Sequence, residues 1–161
     1  MINKQELVLR IVDLLSADAK NLASAAKAAH ADATAPESKA ENKYDTRGLE
    51  ASYLAGAQAK MAAESLQHIA SYKTLELKEF TNESKIALTA FIELESGDGI
   101  RSFYFLGTKG GGTLVEHSEM KVLLITPSSP LGRKLLGREV GDCIKIESGS
   151  ATKEYEIISI R

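Results

Sequence analysis

The chain has 161 residues, 43% of them hydrophobic and 26% charged, with a formal net charge of −2. These values fit one ordinary domain, or a small domain carrying an extended arm. No apolar run approaches the roughly 20 residues of a membrane span. A chain that gripped duplex nucleic acid by its phosphates would be far more basic. Cys143 is the single cysteine, so no intrachain disulfide can form. With no secretory layout at the N-terminus, the expectation is a cytoplasmic protein.

The first element follows from a capping box. Asn3 with Glu6 three residues on predicts a helix from Lys4. Val8, Leu15, Leu22 and Ala29 then recur every seven residues, with Ile11, Asp18 and Ala25 three after the first three of them. That spacing is a coiled-coil seam. Leu7 and Leu14 widen the stripe where the helix would meet another domain. A second helix repeats the habit, with Leu49, Gly56, Ala63 and Ala70 every seven and Ser52, Ala59 and Leu66 as companions. Two such helices with small seam residues predict an antiparallel hairpin over residues 1–76. An arm of about 28 residues per helix would reach roughly 40 Å. A dimerising coiled coil would use the same seam. The polar break Ala33-Thr34-Ala35-Pro36 favours the fold-back.

The tip, near residues 34–47, is acidic. Glu37, Glu41 and Asp45 fall four apart, which places them on one helical face. The two glutamates also complete capping boxes with Thr34 and Ser38, a structural role that needs no partner. Asp45 lies too deep to be a cap. Lys39, Lys43 and Arg47 interleave with the acids, as on a solvated mixed-charge face.

Beyond Tyr72 the period changes from helical to alternating, which predicts a β-rich domain over 77–161. Ile86, Leu88, Ala90, Ile92 and Leu94 alternate as in a strand with one buried face. Ser96-Gly97-Asp98-Gly99 is a hairpin turn, and Ile100 to Leu106 a second strand. Lys109-Gly110-Gly111-Gly112 is a loop without the Gly-Lys-Ser/Thr ending of a phosphate cradle. Thr113 to Glu116 and Lys121 to Ile125 give two more strands. Ser129 and Pro130 open a short helix as N-cap and first residue, and Gly137 closes it. Cys143 to Glu147 and Lys153 to Ile160 form the last hairpin, with Cys143 expected as buried filler. The fold class is α+β: a helical hairpin followed by a small antiparallel sheet domain with one short helix.

Residues with catalytic potential are scattered. His30, His68 and His117 lack ligand spacing. Ser128 and Ser129 have no Gly-x-Ser-x-Gly context. Nothing in the chain forms a self-contained active site.

The run Thr126-Pro127-Ser128-Ser129-Pro130-Leu131-Gly132-Arg133-Lys134-Leu135-Leu136-Gly137-Arg138-Glu139-Val140-Gly141-Asp142 resembles the most recognisable stretch of the bacterial Gre transcript-cleavage factors. The resemblance continues through Tyr155-Glu156-Ile157-Ile158-Ser159-Ile160, and Glu41-Asn42-Lys43-Tyr44 is similar to the family's hairpin tip. It implies an FKBP-like sheet domain that binds RNA polymerase at the rim of its secondary channel, with Ser129, Pro130 and Arg133 as the contact. It implies that the arm enters the channel and that Glu41 shares a Mg²⁺ ion there to help cut backtracked RNA; Glu37, one residue off the family's aspartate position, and Asp45, one turn beyond Glu41, are the neighbouring acids that could join it. No cofactor is expected on the chain alone. The nascent RNA 3′ end and DNA would be met only inside the elongation complex, by a monomer that is not itself an enzyme. One departure stands out: the family pair is Asp-x-x-Glu, and Ser38 occupies the aspartate position before Glu41. A channel-binding regulator without cleavage activity is therefore the alternative. A prolyl isomerase or peptide-binding module is a third, disfavoured by the absence of tryptophan.

Overall fold

The computed structural model describes residues 2–35, 46–148 and 151–161. Two long helices come first, α1 (Lys4–Thr34) and α2 (Arg47–Lys73). Six strands and a short helix follow: β1 (Phe91–Ser96), β2 (Arg101–Leu106), β3 (Leu114–His117), β4 (Met120–Ile125), α3 (Pro130–Leu135), β5 (Cys143–Ser148) and β6 (Ala151–Ile160). The start of α1 is as its cap predicts, since Asn3 Oδ1 accepts the Glu6 amide at 3.1 Å. Glu6 does not return the bond to Asn3 but pairs with Arg10, one turn on, at 3.3 Å. Among the described residues no helix is long and apolar enough to cross a membrane.

The chain divides into two compact units, one of Val12–Ala70 and one of Met1–Ile11 with Ser71–Arg161. In the first, small residues make the seam. Leu15, Ala19 and Ala29 are buried on α1, and Ala55, Ala62 and Ile69 on α2. Ala26 and His30 border the same groove as Ser52, Ala55 and Ala59, so the two helices face each other there. Two expectations are corrected here. Asp18 is exposed, and its neighbour Ala19 takes the seam position. On α2 the seven-residue repeat exists but is one residue earlier: 55, 62 and 69 are buried, while Gly56, Ala63 and Ala70 are exposed. One residue turns a helix by about 100°, so Leu49 and Leu66 point outward, 56% and 61% exposed. The buried face carries Ala55 and Ala62 along its length and Ile69 at one end, while both leucines lie on the outward face.

The second unit is a six-stranded sheet in the order β3-β4-β2-β1-β6-β5. Four of its five pairs are antiparallel, and β2 runs parallel to β4 because β3 lies outside β4 at the edge. One face meets α3 over a core of Ile92, Leu94, Leu106, Ile125, Leu135 and Ile157. Phe91, Phe105, Val122 and Leu124 occupy the alternate positions and are at most 1% exposed. The central strand β1 is thus covered on both faces, so its burial does not alternate. The strand expected from Ile86 begins only at Phe91. Thr89 has φ 75°, a turn that ends the extended run, and its hydroxyl accepts the Lys78 amide at 3.0 Å. Cys143 is exposed, not filler: on edge strand β5 the inward positions belong to Ile144 and Ile146, and Cys143 has the other parity.

Charged groups inside this unit are paired. Glu93, 5% exposed, accepts from Arg101 at 2.8 Å and from the Ser159 hydroxyl at 3.0 Å, with Arg161 3.6 Å away. Lys4 is also buried; its ammonium donates to the Lys78 carbonyl and sits 4.9 Å from the centre of the Phe80 ring. Among the described residues His117 is the buried side chain of this unit left without a partner. It is 1% exposed and neither ring nitrogen has a hydrogen-bond partner. Glu6 Oε1 is 3.9 Å from Nδ1, too far to serve. An orphaned buried polar group costs about 1–3 kcal/mol. His117→Leu should therefore raise stability by about 1 kcal/mol, measured by urea unfolding.

Candidate functional site

The three sequence-predicted contact residues fall within one turn of backbone at the start of α3. Ser129 is the N-cap, with φ −68° and ψ 154°, and its Oγ accepts the Gly132 amide at 3.0 Å. The same hydroxyl donates to the Thr126 carbonyl at 2.8 Å. The Ser129 hydroxyl is thereby consumed inside the turn. Pro130 follows as the first helical residue, where its missing N–H costs nothing and its fixed φ suits the helix. It is exposed. Arg133 is exposed as well, and its Nη1 donates back to the Ser128 carbonyl at 2.5 Å. Of the three, Pro130 and Arg133 are thus the exposed side chains, and Ser129 holds the turn beneath them.

The helix is fixed at both ends. Leu135 is fully buried beneath it. At its exit Gly137 has φ 79°, a conformation that only glycine adopts freely. The Gly137 amide donates to Ile86 at 2.8 Å, and the Ile86 amide donates to Arg138 at 2.8 Å. Gly132 is the residue that the motif hides. It is buried against the preceding turn, where an added Cβ would overlap the Thr126 carbonyl oxygen and come 2.9 Å from Ser129 Oγ. The one signal in sequence is a glycine inside a six-residue helix, where glycine is otherwise a poor choice.

Glu37, Glu41 and Asp45 lie outside the described residues, as does Ser38. Among the described residues no group of three or more His, Cys, Asp or Glu side chains could hold a metal ion.

Residues 113–161 match the family model described as transcription elongation factor, GreA/GreB, C-term. The chain is 28% identical over 123 residues to the transcription inhibitor protein Gfh1 of Thermus aquaticus, covering 76% of this chain and 74% of that one. The Gfh1 of Thermus thermophilus is 29% identical over 126 residues, covering 76% and 75%. The transcription elongation factor GreA of Agrobacterium fabrum is 31% identical over 80 residues, covering 48% of this chain and 46% of its own. Among solved structures, Thermus aquaticus Gfh1 aligns with a TM-score of 0.42 at 23% identity, over 97% of this chain and 94% of that one.

Proposed function

We propose that this chain, a Gre-like protein, regulates transcription by binding RNA polymerase at the rim of its secondary channel. Residues 77–161 make the contact through Pro130 and Arg133. Residues 1–76 form the arm that enters the channel. The protein acts as a monomer, and no chemistry is completed on the chain alone. The observation that carries this proposal is the built presentation of α3. Ser129 spends its hydroxyl, and Gly132 its missing side chain, on holding an exposed proline and arginine on a rigid turn. Such preorganisation favours binding, because little side-chain freedom remains to be lost.

Two outcomes at the tip are open to such a factor. Regulation without cleavage is favoured by Ser38, which supplies a hydroxyl where the family pair has a carboxylate. It is favoured too by relatives named as transcription inhibitors matching over about three quarters of the chain. Cleavage assistance rests on Glu41 with Glu37 or Asp45. The resemblance would have Glu41 share a Mg²⁺ ion, a metal that binds through one or two carboxylates and keeps several waters.

Incubation with a backtracked elongation complex of the cognate polymerase separates the two. The expected result is binding that slows RNA extension and releases no short 3′ fragments. Arg133→Ala should weaken that binding about fivefold to tenfold. Fragments that vanish with Glu41→Ala would establish cleavage assistance instead. No binding at all would reject both.

A further inference from the structure

A groove of about 370 Å³ lies between the end of α3 and edge strand β5, and four cations line it: Arg133, Lys134, Arg138 and Lys145. Among the described residues no carboxylate lines it. The chain as a whole is acidic by two charges, so this gathering is local. The cations are poorly neutralised. Arg133 and Lys134 donate to carbonyls, of Ser128 and Lys145, and among the described residues neither has an ion pair. Arg138 lies 3.8 Å from Asp142, a pair with both partners more than 40% exposed, and such pairs contribute little. Glu154 stands opposite Lys145 in the β5–β6 register, yet no ion pair joins them among the described residues. Leu136, 49% exposed, adds an apolar patch to the rim.

We infer that this groove receives an extended acidic segment of protein, carboxylates on the four cations and one apolar side chain on Leu136. This rests on the function proposed above and places the segment on the polymerase surface. Charge complementarity chooses the sign of the occupant. The groove's size and border choose protein over nucleic acid. A phosphate backbone needs a continuous basic stripe, and single-stranded bases need aromatic faces. Among the described residues no aromatic lines the groove, and Asp142 beside Arg138, Glu139 bonded to Asp142 and Glu154 opposite Lys145 interrupt the positive surface around it.

Cys143 supplies the readout. It is the sole cysteine, it is exposed, and it lines the groove. A Glu-Glu-Leu-Glu-Glu peptide should slow alkylation of Cys143 in the full chain saturably, and less so as salt rises. Arg138→Glu with Lys145→Glu should weaken that protection by about tenfold. Absent protection, equal protection in the double variant, or equal protection by an oligothymidylate of matched charge would overturn the inference. Capture of polymerase by the full chain distinguishes the two proposals. Capture that withstands the double reversal overturns the acidic-segment contact and leaves the proposed function standing. Peptide protection without any capture of polymerase supports the groove and rejects the function.

Discussion

Gly132→Ala should destabilise the sheet unit by about 3 kcal/mol or more, lowering its melting temperature by roughly 10 °C or more. Helix propensity alone predicts the reverse, since glycine in a helix interior costs about 1 kcal/mol relative to alanine. Packing decides the sign. The new methyl would overlap the Thr126 carbonyl oxygen and crowd the Thr126 carbonyl carbon at 2.8 Å. Both are backbone atoms, which cannot turn aside as a flexible side chain could. Thr126 O already accepts from the Ser129 amide at 3.0 Å and from the Ser129 hydroxyl at 2.8 Å. Moving it breaks the cap that presents Pro130 and Arg133. Gly56 provides the contrast, because it sits in α2 with nothing within 4 Å of an added Cβ. Gly56→Ala should follow propensity and gain about 1 kcal/mol. Thermal unfolding of both variants by circular dichroism tests the pair. A neutral or stabilised Gly132→Ala would show that the turn before α3 is not held as described.

The same contrast explains what was legible in the sequence. Local chemistry was readable wherever a residue's partner lies a few positions away. The Asn3 cap, the Ser96–Gly99 turn and the Ser129-Pro130 helix start all appear where their residue types place them. Features set by distant partners were not readable. Along α2 the repeats at 55, 62, 69 and at 56, 63, 70 are equally periodic. Only the facing helix selects between them, and it buries Ala55, Ala62 and Ile69. Ile86 and Ala90 are both buried, as a strand would have them. They reach the core through the Thr89 turn, which alternation cannot distinguish from a strand. Cys143 reads as apolar by type, but its place on an edge strand is fixed by pairing with β6 across the sheet. The parallel β2–β4 pair depends on where β3 is laid down, which no local pattern encodes. The turn that exposes Pro130 and Arg133 was legible because the motif is contiguous. The groove beside them was not, because Lys145 joins Arg133 and Arg138 only through the fold.

Gly107 and Tyr72 should behave as one unit. Tyr72 is 2% exposed and its hydroxyl donates to the Lys109 carbonyl at 2.6 Å. A Cβ on Gly107 would overlap that hydroxyl and come 2.7 Å from Leu124 Cδ1 and 3.0 Å from Tyr72 Cζ. Gly107→Ala should therefore cost about 2 kcal/mol. Tyr72→Phe alone should cost about 1 kcal/mol for the lost bond and the carbonyl left behind. Combined, the hydroxyl that the methyl strikes is gone, so the pair should cost about 1 kcal/mol less than their sum. The alkaline limb reports on the same hydroxyl. Burial raises the Tyr72 pKa above its ordinary value, against smaller opposing effects of the bonds to Lys109 and Thr108. The folded state then holds this proton more tightly than the unfolded chain does. Stability must fall as pH rises above the unfolded pKa of about 10. Tyr104, raised by burial in the same way, contributes to that slope. Tyr72→Phe should flatten the limb without abolishing it, measured by urea unfolding between neutral and alkaline pH. Strict additivity of the two substitutions, with an unchanged alkaline slope, would mean that Gly107 is spared a side chain for some reason other than the Tyr72 hydroxyl.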